Sequence, residues 1–228
     1  MEPTLLWAAL TGVGSAWLVL RVPRVRSRLP ASLERPLDLL VGAAAVGLLT
    51  GRLAAMVRSG TSPLTDPLDV LAVRGGVDTG FAALGAIAAL VLASRRDLPA
   101  SMDALAPAAV AGIAGWHAGC VWRGACLGAR SDLPWAWAAA GSDVTRHPVE
   151  LYTAVLLGLA AAGMTLLPAR RWLASGAALA AVAGVRLLTE SMRPSILGGP
   201  VAWYAAGVVV GMGMVVWSLA AGAATNRP

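Results

Sequence analysis

A chain of 228 residues that is 57% hydrophobic and only 13% charged, with a mean hydropathy of +0.70, has about half the charge of an ordinary soluble domain. All 18 basic residues are arginine, and the net charge of +6 is scattered between apolar segments. That pattern sets nucleic acid aside and reads as membrane topology and contact with anionic lipid. Two cysteines are too few for a disulfide framework.

Seven apolar segments follow in chain order, each near the roughly 20 residues that cross a bilayer. They run over 4–21, 37–57, 78–94, 105–126, 150–167, 172–190 and 201–221. The first, "MEPTLLWAALTGVGSAWLVLR", has its acidic residue before the apolar run and its arginine after it. A cleavable signal peptide has the reverse order, so this reads as a first transmembrane helix with its N-terminus outside. The connection after it, "RVPRVRSRLPASLERP", holds five arginines against one glutamate. With Arg95, Arg96, Arg170, Arg171 and Arg227, the odd-numbered connections and the tail collect ten of the 18 arginines. Positive residues stay in the cytoplasm, so the C-terminus lies inside. The expected fold is one all-α integral membrane domain over 1–228, with seven transmembrane helices.

The other eight arginines are Arg52, Arg58, Arg74, Arg123, Arg130, Arg146, Arg186 and Arg193, all toward the outer side on this topology. Arg52, Arg123, Arg186 and Arg193 lie at or within apolar spans. A charge in hydrocarbon costs about 3 kcal/mol or more, so each needs a polar cavity and a partner. In "RLLTESMRPS", Arg186, Glu190 and Arg193 at i, i+4 and i+7 share one face if the helix runs through them. Guanidinium forks suit phosphate oxygens and keep their charge when buried, and Glu190 between them would orient the forks. A structural ion-pair network at a helix end is the competing reading.

Several stretches, in order, resemble the prolipoprotein diacylglyceryl transferase family. They are "GRLAAMV" in the second segment, "RGGVDTGFAALGA" before the third, "SDLPWA", "RHPVELY" and "RLLTESMRP". The resemblance covers nearly the whole chain and agrees with the seven-helix layout. It implies an enzyme of the bacterial cytoplasmic membrane, lipoprotein-synthesising and multi-pass. The diacylglyceryl group of phosphatidylglycerol would pass to the thiol of a lipobox cysteine in a preprolipoprotein signal peptide. Glycerol phosphate would leave, with no cofactor or metal, and the protein would act as a monomer. Placed on these stretches, Arg186, Glu190, Arg193 and His147 are the expected catalytic residues. Arg52, Arg123, Gly124, Asp132 and Tyr152 are the expected substrate-binding residues.

The chain departs from the family pattern at several of these positions. The family's histidine falls on Gly80, followed by Phe81 and Ala82, and Asp78 replaces a serine. In "WHAGCVWRGACLG" the signature arginine becomes His117, the two asparagines Cys120 and Arg123, and the glutamate Ala125. In "RHPVELY" the glutamine becomes Glu150, and Thr153 stands where a glutamate is usual. These changes keep open a second function, that of a catalytically altered paralog serving as a lipid-binding or accessory protein. His117, Cys120 and Cys126 form a possible thiol site. The cysteines could be a nucleophile, a disulfide, metal ligands with His117, or small packing residues. Pairing them requires the helix to break near Gly124, because Cys126 lies about 240° round from Cys120. His147 before Pro148 also suits a cap or loop partner. Trp116, Trp122, Trp135, Trp137 and Trp203 suit interface anchors.

Overall fold

A computed structural model describes residues 3–65, 70, 76–120, 126–139, 141–193 and 200–224. It is almost wholly helical, in two compact units. The larger unit comprises the chain up to Pro30 and from Pro99 onward. It holds α1 (Pro3–Arg21), the one-turn α2 (Pro23–Arg26), α5 (Leu98–Cys120), a two-residue hairpin pairing β1 (Trp137–Ala138) with β2 (Thr145–Arg146), α6 (Val149–Leu166), α7 (Leu173–Glu190) and α8 (Val201–Ala224). The smaller unit, Ala31–Leu98, holds α3 (Pro36–Arg58) and α4 (Thr79–Ala93).

Helices α3, α5, α6, α7 and α8 are long and apolar enough to cross a membrane. The seven-span expectation is thus met in five helices, while Leu6–Arg21 of α1 and the whole of α4 are shorter apolar stretches. At 1.5 Å per residue the 15 residues of α4 reach only about 22 Å, against a hydrocarbon core of about 30 Å. Its start is fixed by Asp78, whose carboxylate accepts from the backbone of Gly80 and Phe81 and from Arg58. The serine-to-aspartate departure therefore supplies an N-cap.

The larger unit has a core of small and branched side chains. Val110, Ala111 and Ala114 of α5 meet Leu157, Ala161 and Met164 of α6 and Val185 of α7. Helix α1 reaches α5 through glycine. A Cβ on Gly115 would stand 2.4 Å from the Thr11 carbonyl, and one on Gly119 would stand 2.4 Å from the Ala8 Cα. Such approach lets backbones pack without a hydrophobic drive between helices. The outer faces are apolar instead: Leu159 is 65% exposed and Val209 71%. That inversion belongs to a surface meeting lipid and would be a liability in water.

Two helix ends differ from expectation, each for a local reason. Helix α5 begins at Leu98 and takes Asp103 inside it, earlier than the expected 105–126. The charge is tolerated because the Asp103 carboxylate accepts from Trp172 N at 2.6 Å, Ser175 N at 2.8 Å and Ser175 Oγ at 2.7 Å. It caps α7 from a neighbouring helix, where Trp172 holds a left-handed φ of 66°. At its other end α7 stops at Glu190. Arg193 N then bonds to the Glu190 carbonyl at 3.0 Å in a turn. Arg193 therefore lies beyond the helix that carries Arg186, and the two arginines take different partners.

Between the hairpin and α6 the chain is laced by backbone bonds. Gly128 N donates to the His147 carbonyl at 2.7 Å, His147 N to Ala129 at 3.0 Å, and Ala129 N to Met192 at 2.7 Å. Residues 128–129 are therefore wedged between the start of α6 and the turn after α7. A Cβ on Gly128 would lie 2.3 Å from both the Met192 carbonyl and the Val149 Cγ2. Gly128→Ala should lower the melting temperature of the purified protein by several degrees, as overpacking costs about 1–3 kcal/mol. Gly163→Ala, where a Cβ meets nothing within 4 Å, should not lower it, and a thermal melt of the two variants checks this.

Candidate functional site

The hub of the site is the carboxylate of Glu150, in the first turn of α6. One of its oxygens accepts from Arg193 Nη1 and the other meets His117 Nδ1. All three side chains are largely buried, at 14%, 16% and 13% exposed. Arg193 Nη2 also donates to Thr153 Oγ1 at 3.1 Å. Thr153, fully buried, sits one turn along α6 from Glu150 and is anchored to the Val149 carbonyl at 2.9 Å. Positions 150 and 153 are two of those where the chain departs from the family pattern. A glutamine–glutamate pair has become glutamate–threonine, which moves the acid one helical turn and keeps it on the same face.

Beside this trio lies a cleft of about 200 Å³ lined by Glu150, Leu151, Pro148, Trp137, Leu127 and the two cysteines. Cys120 and Cys126 are joined in a disulfide. The free-thiol and metal-ligand readings are therefore corrected, because each sulfur is spent on the other. Among the described residues no group of three potential ligands gathers to hold a metal. Helix α5 is described as far as Cys120, and residues 121–125, where pairing requires a break, lie outside the described residues.

The expected site residues fall in different places. Arg186 lies on α7 and is held by the Tyr204 hydroxyl, with Nε at 3.3 Å and Nη2 at 3.0 Å. Its guanidinium stands 5.5 Å from that ring's centroid. Glu190 is buried, and its Oε2 has no hydrogen-bond partner among the described residues. It therefore does not orient the forks as expected: Tyr204 holds one arginine and Glu150 the other. His147 lies just before α6, its ring edge-on to Tyr152 at 6.2 Å and its buried Nδ1 without a hydrogen-bond partner among the described residues. The Tyr152 hydroxyl accepts from Trp135 Nε1 at 2.8 Å, and Asp132 is exposed. Arg52 belongs to the smaller unit, buried on α3 and bonded to the Gly76 carbonyl at 3.1 Å. Arg123 and Gly124, like Trp122, lie outside the described residues.

Glu150, Thr153 and Tyr204 are the polar residues that the sequence left unassigned. Glu150 had a signal: an acidic residue one turn before the position where the family carries its own. Tyr204 had none, since it stands alone in the apolar run of α8. Trp135 and Trp137, expected only as interface anchors, hold Tyr152 and line the cleft.

A family model described as prolipoprotein diacylglyceryl transferase matches residues 6–225. A phosphatidylglycerol–prolipoprotein diacylglyceryl transferase of Geobacter sulfurreducens is 32% identical over 155 residues, 65% of this chain and 60% of that protein. Its counterpart in Methylibium petroleiphilum is 33% identical over 170 residues, 69% of this chain and 64% of that protein. The chain thus spans about 60% of the length of the curated relatives it matches. With the ordered stretches, the apolar helices and a match from residue 6 to residue 225 all in agreement, the chain belongs to the prolipoprotein diacylglyceryl transferase family.

Proposed function

We propose that this protein transfers the diacylglyceryl group of phosphatidylglycerol to the cysteine thiol of a preprolipoprotein signal peptide. It works as a monomer in the bacterial cytoplasmic membrane. All seven apolar segments cross, α1 and α4 included, with the N-terminus outside and the C-terminus in the cytoplasm. Family membership supports this reading, as do the names of the relatives. The observation that carries it is the state of Arg193. This buried cation is fixed by Glu150 and Thr153, yet its Nε has no hydrogen-bond partner among the described residues.

In the reaction, sulfur attacks the terminal glycerol carbon, the C–O bond to phosphate breaks, and glycerol phosphate departs with the bonding electrons. Negative charge gathers on the phosphate oxygens as the bond lengthens. A guanidinium already held in place stabilises that charge without reorganising, which water cannot do. Arg193 takes this role, and Arg186, steadied by Tyr204, grips the same phosphate. His147 and Tyr152 border the acceptor, while Glu190 accepts from a glycerol hydroxyl. Arg52, Arg123, Gly124 and Asp132 are proposed on the substrate path by their places in the family stretches. The replacements at Gly80 and Ala125 favour the second reading, a lipid-binding relative that has lost transfer.

Purified protein in phosphatidylglycerol vesicles with a lipobox peptide should give a diacylglyceryl adduct detectable by mass spectrometry. Arg193→Ala should lower kcat by about 10²–10³-fold, the usual loss of one preorganised donor. No adduct, with phosphatidylglycerol still bound in an Arg193-dependent manner, would leave the lipid-binding reading. Tyr204→Phe keeps the ring over Arg186 but removes its hydrogen-bond acceptor. It should raise KM for phosphatidylglycerol by about tenfold, since a bond to a charged group is worth about 1.5–3 kcal/mol. Steady-state kinetics on that variant checks the assignment.

A further inference from the structure

The proposed transfer requires a proton acceptor, because the thiolate and not the thiol is the nucleophile. The chain has two histidines, and Gly80 stands where the family carries one. His147 has its Nδ1 buried without a hydrogen-bond partner among the described residues, so no carboxylate seats it as Glu150 seats His117. Both oxygens of Glu150 are already engaged by Arg193 and His117. Neither cysteine has a thiol to offer, since the two form the disulfide.

His117 differs from all of these. Its Nδ1 is seated on the Glu150 carboxylate, which places the proton on that nitrogen and leaves Nε2 with its lone pair. Glu150 also pairs with Arg193, through its other oxygen. Cys120, one turn further along α5, borders the cleft together with Glu150. His117 thus lies one turn before one residue of the cleft wall, Cys120, and is held by another, Glu150.

We infer that His117 is the catalytic base for the acceptor thiol, positioned by Glu150. The inference rests on the transferase reading. The thiol proton passes to His117 Nε2 and the sulfur lone pair forms the S–C bond. The C–O bond breaks with its electrons going to glycerol phosphate, and the imidazolium then returns its proton to water. No oxidant or further reactant enters.

The test compares two acceptor peptides in phosphatidylglycerol vesicles, identical except for cysteine or selenocysteine at the lipobox. A selenol is already ionised near neutral pH and needs no base. His117→Gln should slow transfer to the cysteine peptide by about 100-fold or more, with phosphatidylglycerol binding unchanged. The same variant should lose less than about tenfold with the selenocysteine peptide. Glu150→Gln, which also loosens Arg193, should slow transfer to both peptides and be relieved by selenocysteine only in part. Equal losses on both acceptors would overturn the assignment, because a packing defect does not distinguish sulfur from selenium. Full transfer to cysteine by His117→Gln would also overturn it. If the unaltered chain binds phosphatidylglycerol but modifies neither peptide, the transferase reading itself fails and this inference with it.

Discussion

One carboxylate organises the polar centre of this protein. Glu150 takes a guanidinium from the turn after α7 on one oxygen and an imidazole from the end of α5 on the other. Each group alone would be costly in an apolar bundle. Removing one partner from a buried pair typically costs about 3–5 kcal/mol, because the remaining charge is stranded. The carboxylate therefore ties together three helix ends as well as supplying charge, and the polar chemistry and the local fold share one constraint.

The backbone around it makes that convergence possible. Helix α6 begins immediately after Pro148, which puts Glu150 in the first turn, where a negative side chain meets the positive end of the helix dipole. The segment at Gly128–Ala129 bonds to His147 on one side and Met192 on the other, and so sets the spacing between α6 and Arg193. Only glycine fits there, for lack of room and not for conformational freedom. Away from this centre the bundle relies on small residues and close helix contact, and its outward faces carry large apolar side chains. Two charged groups at the turn that ends α7, Glu190 Oε2 and Arg193 Nε, meet no hydrogen-bond partner among the described residues. Unmet hydrogen-bonding capacity in an otherwise apolar setting is where a polar headgroup gains most.

Much of the helical order was legible because apolar runs bounded by arginine and proline leave few alternatives. The boundaries were less so. Asp103 looked like a residue that a membrane helix should exclude, yet it caps α7 across space. No local pattern announces such a partner. The 186–193 stripe illustrates the same limit: periodicity places three charges on one face only while the helix continues, and α7 ends at Glu190. Arg193 takes its carboxylate from α6, 43 residues earlier. Tyr204 beside Arg186 likewise comes from another helix. Family resemblance located the stretches, while the pairing between them needed three dimensions. The departures at 150 and 153, each puzzling alone, make sense as the relocation of one acid by one turn.

The most direct measurement is a double-mutant cycle on transfer, with Glu150→Gln, Arg193→Ala and the two combined. If Glu150 works by holding Arg193 and His117, the combined variant should be little slower than the worse of the two single variants. Losses that multiply would mean that the carboxylate and the guanidinium act independently, and would contradict a site organised around Glu150.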